Sequence, residues 1–186
     1  MKLSTQFLAL ACVLTLPFSS AFSEEAKTAA AGPTDSEIAH IVVTANAIDI
    51  DAGKLAKNKT KNKEVKEFAQ LMMTDHAAVN KQATDLAKKL KVTPKDNATS
   101  DSLTAGAKEN IANLKKLKGG AFDQAYVNHE VVYHEAVLNA IDQTLVPSAK
   151  NEELKALIVK VRPAFVAHLE HAKMLQSKLN SAPAKK

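Results

Sequence analysis

The chain has one cysteine, no tryptophan, two tyrosines and five glycines among its 186 residues. A single thiol closes no disulfide within the chain, which removes the stapled mini-protein class. So few glycines and large aromatics argue against a β-sandwich, and a 46% hydrophobic content argues against a disordered tail. Enzyme signatures are missing too. There is no glycine-rich phosphate loop, no nucleophile elbow and no His-Glu-x-x-His, so a non-enzymatic protein is expected. The formal charge of +5 is modest and comes without aromatic interleaving or a nucleic-acid-binding motif, so nucleic acid is not an expected partner. What remains is a chain of one-domain length, rich in the good helix formers Ala, Lys, Leu, Glu and Gln.

Residues 1–23 read as a signal peptide. Lys2 supplies the positive start, an apolar run follows from Phe7 to Phe18, and small residues stand at Ala21 and Ser23. The run is short for a membrane span, and Pro17 interrupts it. Val13, Leu14 and Leu16 carry the apolar segment past Cys12, the wrong place for a lipidated mature N-terminus. Cleavage after Ser23 leaves a cysteine-free chain, which suits an oxidising compartment and predicts a periplasmic, secreted or envelope-associated protein. No later segment offers a transmembrane run.

Residues 24–34 form a small-residue linker, and residues 35–180 the folded domain. Thr34-Asp35-Ser36-Glu37 is a capping box. A first helix to about Lys57 carries Ile38, Ile41, Val42, Ala45, Ala52 and Ala56 at helical spacing. After a polar turn at Asn58 to Asn62, a second carries Val65, Phe68, Met72, Val79, Ala83 and Leu90. Pro94 is expected to stop it. A polar stretch from Lys95 to Ser102 precedes a short amphipathic helix from Leu103 to Leu117, with Gly119-Gly120 as its end signal. Another long helix runs from Phe122 to Val146 and closes at Pro147. The last runs from Leu154 to Leu179, with a kink expected at Pro163. Residues 181–186 are a frayed tail. Two hairpins joined by a connection of roughly thirty residues match a ferritin-like four-helix bundle with one long crossover, an all-α fold, better than an up-down bundle with short loops.

Five ionisable residues fall on the apolar face of their helices: Asp49, His76, Glu130, His134 and His168, with His171 at an edge. Counting the helical rise puts Glu130 and His168 at one height but offsets Asp49 from His76 by about 8 Å, as if the polar groups formed two layers. Groups that are costly to bury singly must satisfy one another or hold something. Imidazole and carboxylate from facing helices suit zinc, copper or iron. The alternative is a hydrogen-bonded network that fixes the register of the bundle with nothing bound. Di-iron bundles use Glu-x-x-His pairs, and the residues three before His76, His134 and His168 are Met73, Val131 and Phe165. The di-iron motif is therefore absent. Glu130 and His134, one turn apart, could exchange a proton, but no substrate is identified.

Glu67-Phe68-Ala69-Gln70-Leu71-Met72, Asp75-His76, Phe122-Asp123-x-Ala125-Tyr126 with His134, and Pro163 followed by His168-Leu169 together carry a family likeness. It resembles the domain of unknown function 4142 family of bacterial exported proteins, over roughly Asp35 to Leu179. The resemblance implies a ferritin-like bundle without an established activity, and puts the family's histidines at His76, His134 and His168. It also implies an acidic position in the first helix, commonly Glu and here Asp49 before Ile50 and Gly53-Lys54-Leu55-Ala56. His129 and His171 do not match. The family's "outer membrane" label finds no barrel-type alternation in this sequence.

Lys54, Lys57, Lys59, Lys61, Lys63 and Lys66 make one end of the bundle basic, a solvated tip or a peripheral contact for anionic envelope components. Three expectations follow. The first is an exported envelope protein with a mainly structural Asp/Glu/His network, a stress-related role being family-level analogy. The second is a periplasmic metal-binding protein using His76, His134, His168, Glu130 and Asp49. The third is an interaction module that docks through the lysine tip.

Overall fold

A computed structural model describes residues 32–181, so the signal-peptide reading, most of the linker and the tail beyond Ser181 lie outside the described residues. The helices are α1 (Asp35–Lys59), α2 (Lys63–Lys89), α3 (Ala98–Lys116), α4 (Gly119–Ala140), a single turn α5 (Val146–Ser148) and α6 (Glu152–Ser181). Every described element is helical. The protein is an all-α bundle.

The anticipated capping box opens α1. The Thr34 hydroxyl accepts from the Glu37 N–H, and the Glu37 carboxylate accepts from the Thr34 N–H at 2.9 Å. Asn62 caps α2 after a turn of only three residues, so α1 and α2 are antiparallel. Gly53 lets them approach closely: a Cβ there would stand 2.9 Å from the Ala69 carbonyl oxygen.

Pro94 does not stop α2. The helix ends earlier, where Lys91 adopts a left-handed φ of 54° and the Val92 N–H donates to the Ala87 carbonyl, a Schellman motif with lysine in glycine's usual place. The third helix also starts before Leu103, because the Asn97 side chain accepts from the Thr99 and Ser100 N–H groups and caps it there. The polar stretch was thus half helix. Gly119-Gly120 opens α4 rather than merely closing α3, with Gly119 at φ 54° in the tight passage between them.

Contacts at both ends give the direction of each element. Asn97 Nδ2 donates to the Glu37 carbonyl near the start of α1. Lys59 Nζ, at the end of α1, donates to the Leu114 carbonyl at 3.1 Å and to that of Lys115. The third helix therefore runs the length of α1 and returns the chain to the α1–α2 turn, where Thr60 donates to Asp123 of α4. At the other end the Asp35 carboxylate accepts from the N–H groups of Lys150 and Asn151, and α6 comes back until Lys178 meets Glu64. This is the expected pair of antiparallel hairpins, α1–α2 and α4–α6, joined by a crossover carrying an extra helix. Ile38, Phe68, Met72, Phe122, Tyr126 and Ala172 are fully buried between the hairpins.

The pattern of apolar residues did not reveal one feature. Between Ala140 and Val146 the chain makes a π-helical turn, Ile141–Leu145, one residue wider than an α turn. It lies just before Pro147, whose nitrogen has no hydrogen to donate and whose ring crowds the carbonyl four residues back. By contrast, α6 passes through Pro163 without interruption.

Candidate metal centre

The five inward residues come from all four long helices and form one buried cluster rather than two layers. Asp49, His76, Glu130, His134 and His168 are each no more than 3% exposed. His76 Nδ1 lies 3.5 Å from the Asp49 carboxylate, which corrects the offset inferred from helical rise. The first helix continues to Lys59, which shrinks the mismatch to about three residues, or 4.5 Å. Side chains also lean towards the N-terminus of their own helix. In this hairpin that tilt carries Asp49 away from the turn and His76 towards it, closing the gap.

Each histidine has one ring nitrogen beside an oxygen acceptor. His76 Nδ1 is 2.7 Å from Asn46 Oδ1, His134 Nδ1 is 3.0 Å from the Glu130 carbonyl, and His168 Nε2 is 2.9 Å from the Asp75 carboxylate. An acceptor at that distance fixes the N–H there and leaves a lone pair on the other nitrogen. Those other nitrogens, His76 Nε2, His134 Nε2 and His168 Nδ1, are buried without a hydrogen-bond partner, as are both carboxylate oxygens of Glu130. One nitrogen from each of the three rings falls within 4.8 Å of the others, and one ligand atom each from Asp49, Glu130 and His134 meets the same limit. Phe165 stacks on the His76 ring at 5.1 Å and helps fix its plane.

Burial governs the protonation of the cluster. It holds His76 down at about 2, with the neighbouring His134 and His168 adding to the effect. His134 is held at about 4 by burial, against the opposing bond to the Glu130 carbonyl. His168 is lowered by burial too, against the pull of Asp75. The carboxyls move the other way. Burial raises Glu130 to about 8, and burial together with the Glu130 charge raises Asp49 well above the carboxylate range. At neutral pH the imidazoles are uncharged, with free lone pairs, and Glu130 holds a proton that a cation would displace.

All five residues expected from the sequence are thus brought together. Asn46 and Asp75 were missed as partners. Asn46 sits one turn before Asp49 on the same buried face of α1, a signal that was available. Asp75 adjoins His76, but its contact with α6 could not be read from the spacing. Tyr133 donates to the Ala45 carbonyl at 3.1 Å, whereas the buried Tyr126 hydroxyl has no partner. His129 stacks on Tyr133 and His171 meets Phe68 edge-on.

At the basic tip, Lys59 is engaged by the C-terminal carbonyls of α3, Lys54 pairs with Asp51, and Lys63 lies 3.8 Å from Glu67. Lys61 and Lys66 are exposed. No described helix is long and apolar enough to cross a membrane.

The fold and its centre define an all-helical bundle protein whose core gathers three neutral histidines and two carboxyls. The chain belongs to the family described as Domain of unknown function (DUF4142), whose sequence model matches residues 20–175. No curated protein and no solved structure gives a significant match.

Proposed function

We propose that this is an exported metal-binding protein of the cell envelope, holding one transition-metal ion in the bundle core through His76, His134 and His168, with Glu130 and Asp49 supplying carboxylate. The observation that carries this reading is the oxygen acceptor on one nitrogen of each ring. An acceptor on one imidazole nitrogen is the usual companion of a metal on the other. A network that merely fixes register has no use for a buried lone pair, and each one left without a partner costs about 1–3 kcal/mol. Three nitrogens with carboxylate suit zinc, copper or iron, and the absence of Glu-x-x-His pairs argues against paired iron ions. The role is holding or handling an ion rather than turnover. Export rests on the N-terminal signal.

Elemental analysis of protein purified from the periplasm without chelator, beside a folded H76A/H134A/H168A variant, tests the reading. About one ion per chain, lost in the variant, is expected. Metal-free protein whose melting is also unmoved by excess zinc, copper or iron would return the cluster to a structural role.

A further inference from the structure

A cavity of about 250 Å³ opens beside the cluster and ends on it. Its walls are mostly aliphatic, with Ile41 of α1, Val137 of α4, Leu157 and Val161 of α6 and Leu103 of the crossover helix, and Thr99 and Thr144 among them. At its inner end stand Asp49, His76 and Tyr133. The π-helical turn contributes Ile141, Thr144 and Leu145 to the wall. Such turns are frequent at functional sites, and here the wider turn borders the space itself.

We propose that this cavity binds a small uncharged amphiphile, an apolar body of about ten non-hydrogen atoms ending in one hydroxyl, with the hydroxyl at Asp49 and Tyr133. The size follows by proportion from the roughly 150 Å³ apolar cavity that takes benzene. The nature of the head follows from what the polar end offers. The Tyr133 O–H is spent on the Ala45 carbonyl, so its oxygen presents lone pairs, and Asp49 presents a carboxyl group. Both accept a hydrogen bond from an alcohol or phenol. No lysine or arginine lines the cavity, so a carboxylate head would lose its water with no cationic side chain to offset the loss. The aliphatic walls take the tail.

This goes beyond ion binding, and either can fail alone. Isothermal titration calorimetry with 1-octanol and with octanoate, on the purified protein before and after EDTA treatment, is the test. One saturable octanol site per chain is expected in both samples. Octanoate should bind the EDTA-treated protein at least tenfold more weakly. V137F and A140L narrow the cavity from α4 at positions outside the five clustered residues, and each, if folded, should weaken octanol at least tenfold. Should one misfold, the other decides. Absence of a saturable octanol site, octanoate binding equal to octanol after EDTA, or unchanged octanol affinity in a folded narrowed variant would overturn the proposal. Zinc titrated into the same EDTA-treated samples scores the ion site separately.

Discussion

His168 Nε2 lies 2.9 Å from the carboxylate of Asp75, a contact between α6 and α2 that leaves Nδ1 as the one nitrogen of that ring free to bind. Asp75 is itself half-buried, with solvent on one side, so the ring is oriented from the rim of the cluster. Replacing Asp75 by Asn keeps the shape but lets the amide present either an oxygen or an N–H group. Metal affinity is expected to fall about 10- to 100-fold with melting of the metal-free protein changed little. Competition against a chromophoric chelator measures this, and wild-type affinity in D75N would remove Asp75 from the site.

The metal-free protein should be most stable near pH 6. His76 at about 2 and His134 at about 4 lie below the ordinary imidazole value of 6.5, so the unfolded chain takes up protons that the folded one refuses. Their contribution is complete above pH 6.5 and is lost as pH falls towards 4 and below. Glu130 at about 8 works in the opposite sense. Its proton is held in the folded state and released on unfolding, so its contribution is complete below pH 4.5 and is lost as pH rises through 8. Asp49, also raised, acts with Glu130. Circular dichroism melts from pH 4 to 9 should trace a maximum, and a monotonic curve would contradict these assignments.

Metal uptake should release protons. At pH 7 Glu130 is protonated, so a cation recruiting its carboxylate must expel at least one proton, and affinity should rise about tenfold per pH unit up to about 8 before levelling. Titration calorimetry in buffers of different ionisation enthalpy counts the protons. Zero release at pH 7 would mean that the carboxyls take no part.

The Gly53 contact ties packing to the centre. A Cβ there would meet the Ala69 carbonyl oxygen at 2.9 Å and Met73 Cγ at 3.0 Å, and backbone cannot swing aside as a side-chain tip can. G53A should cost about 1–3 kcal/mol of stability and, by forcing α1 from α2 one turn from Asp49, weaken metal binding as well. Urea melts and the chelator competition read the two effects separately. A variant as stable as wild type would show that the hairpin has slack.

The five inward residues were legible because a helix repeats every 3.6 residues, and a charged side chain on an apolar stripe is conspicuous whatever its partners. Partnership across helices was harder to read. The relative height of Asp49 and His76 depended on where α1 ends and on side-chain tilt, and two residues of helix turned a contact into an apparent 8 Å gap. Asn46 carries no charge, and Asp75 sits on a flank, so neither stood out. The π-helical turn leaves no periodic trace over five residues. The start of α3 was announced by Asn97, whose side chain caps the helix, but its surroundings were polar enough to pass for a loop.

Of the three imidazoles, His76 comes from the α1–α2 hairpin and His134 and His168 from α4 and α6. Neither hairpin holds all three by itself. An ion bound by them is a clasp between two halves that are otherwise joined covalently through the crossover alone, and any parting of the halves takes His76 away from the other two rings. Retention then depends on how firmly the halves stay shut as well as on the affinity of the closed site, so whatever loosens the bundle should also speed stripping by an external chelator.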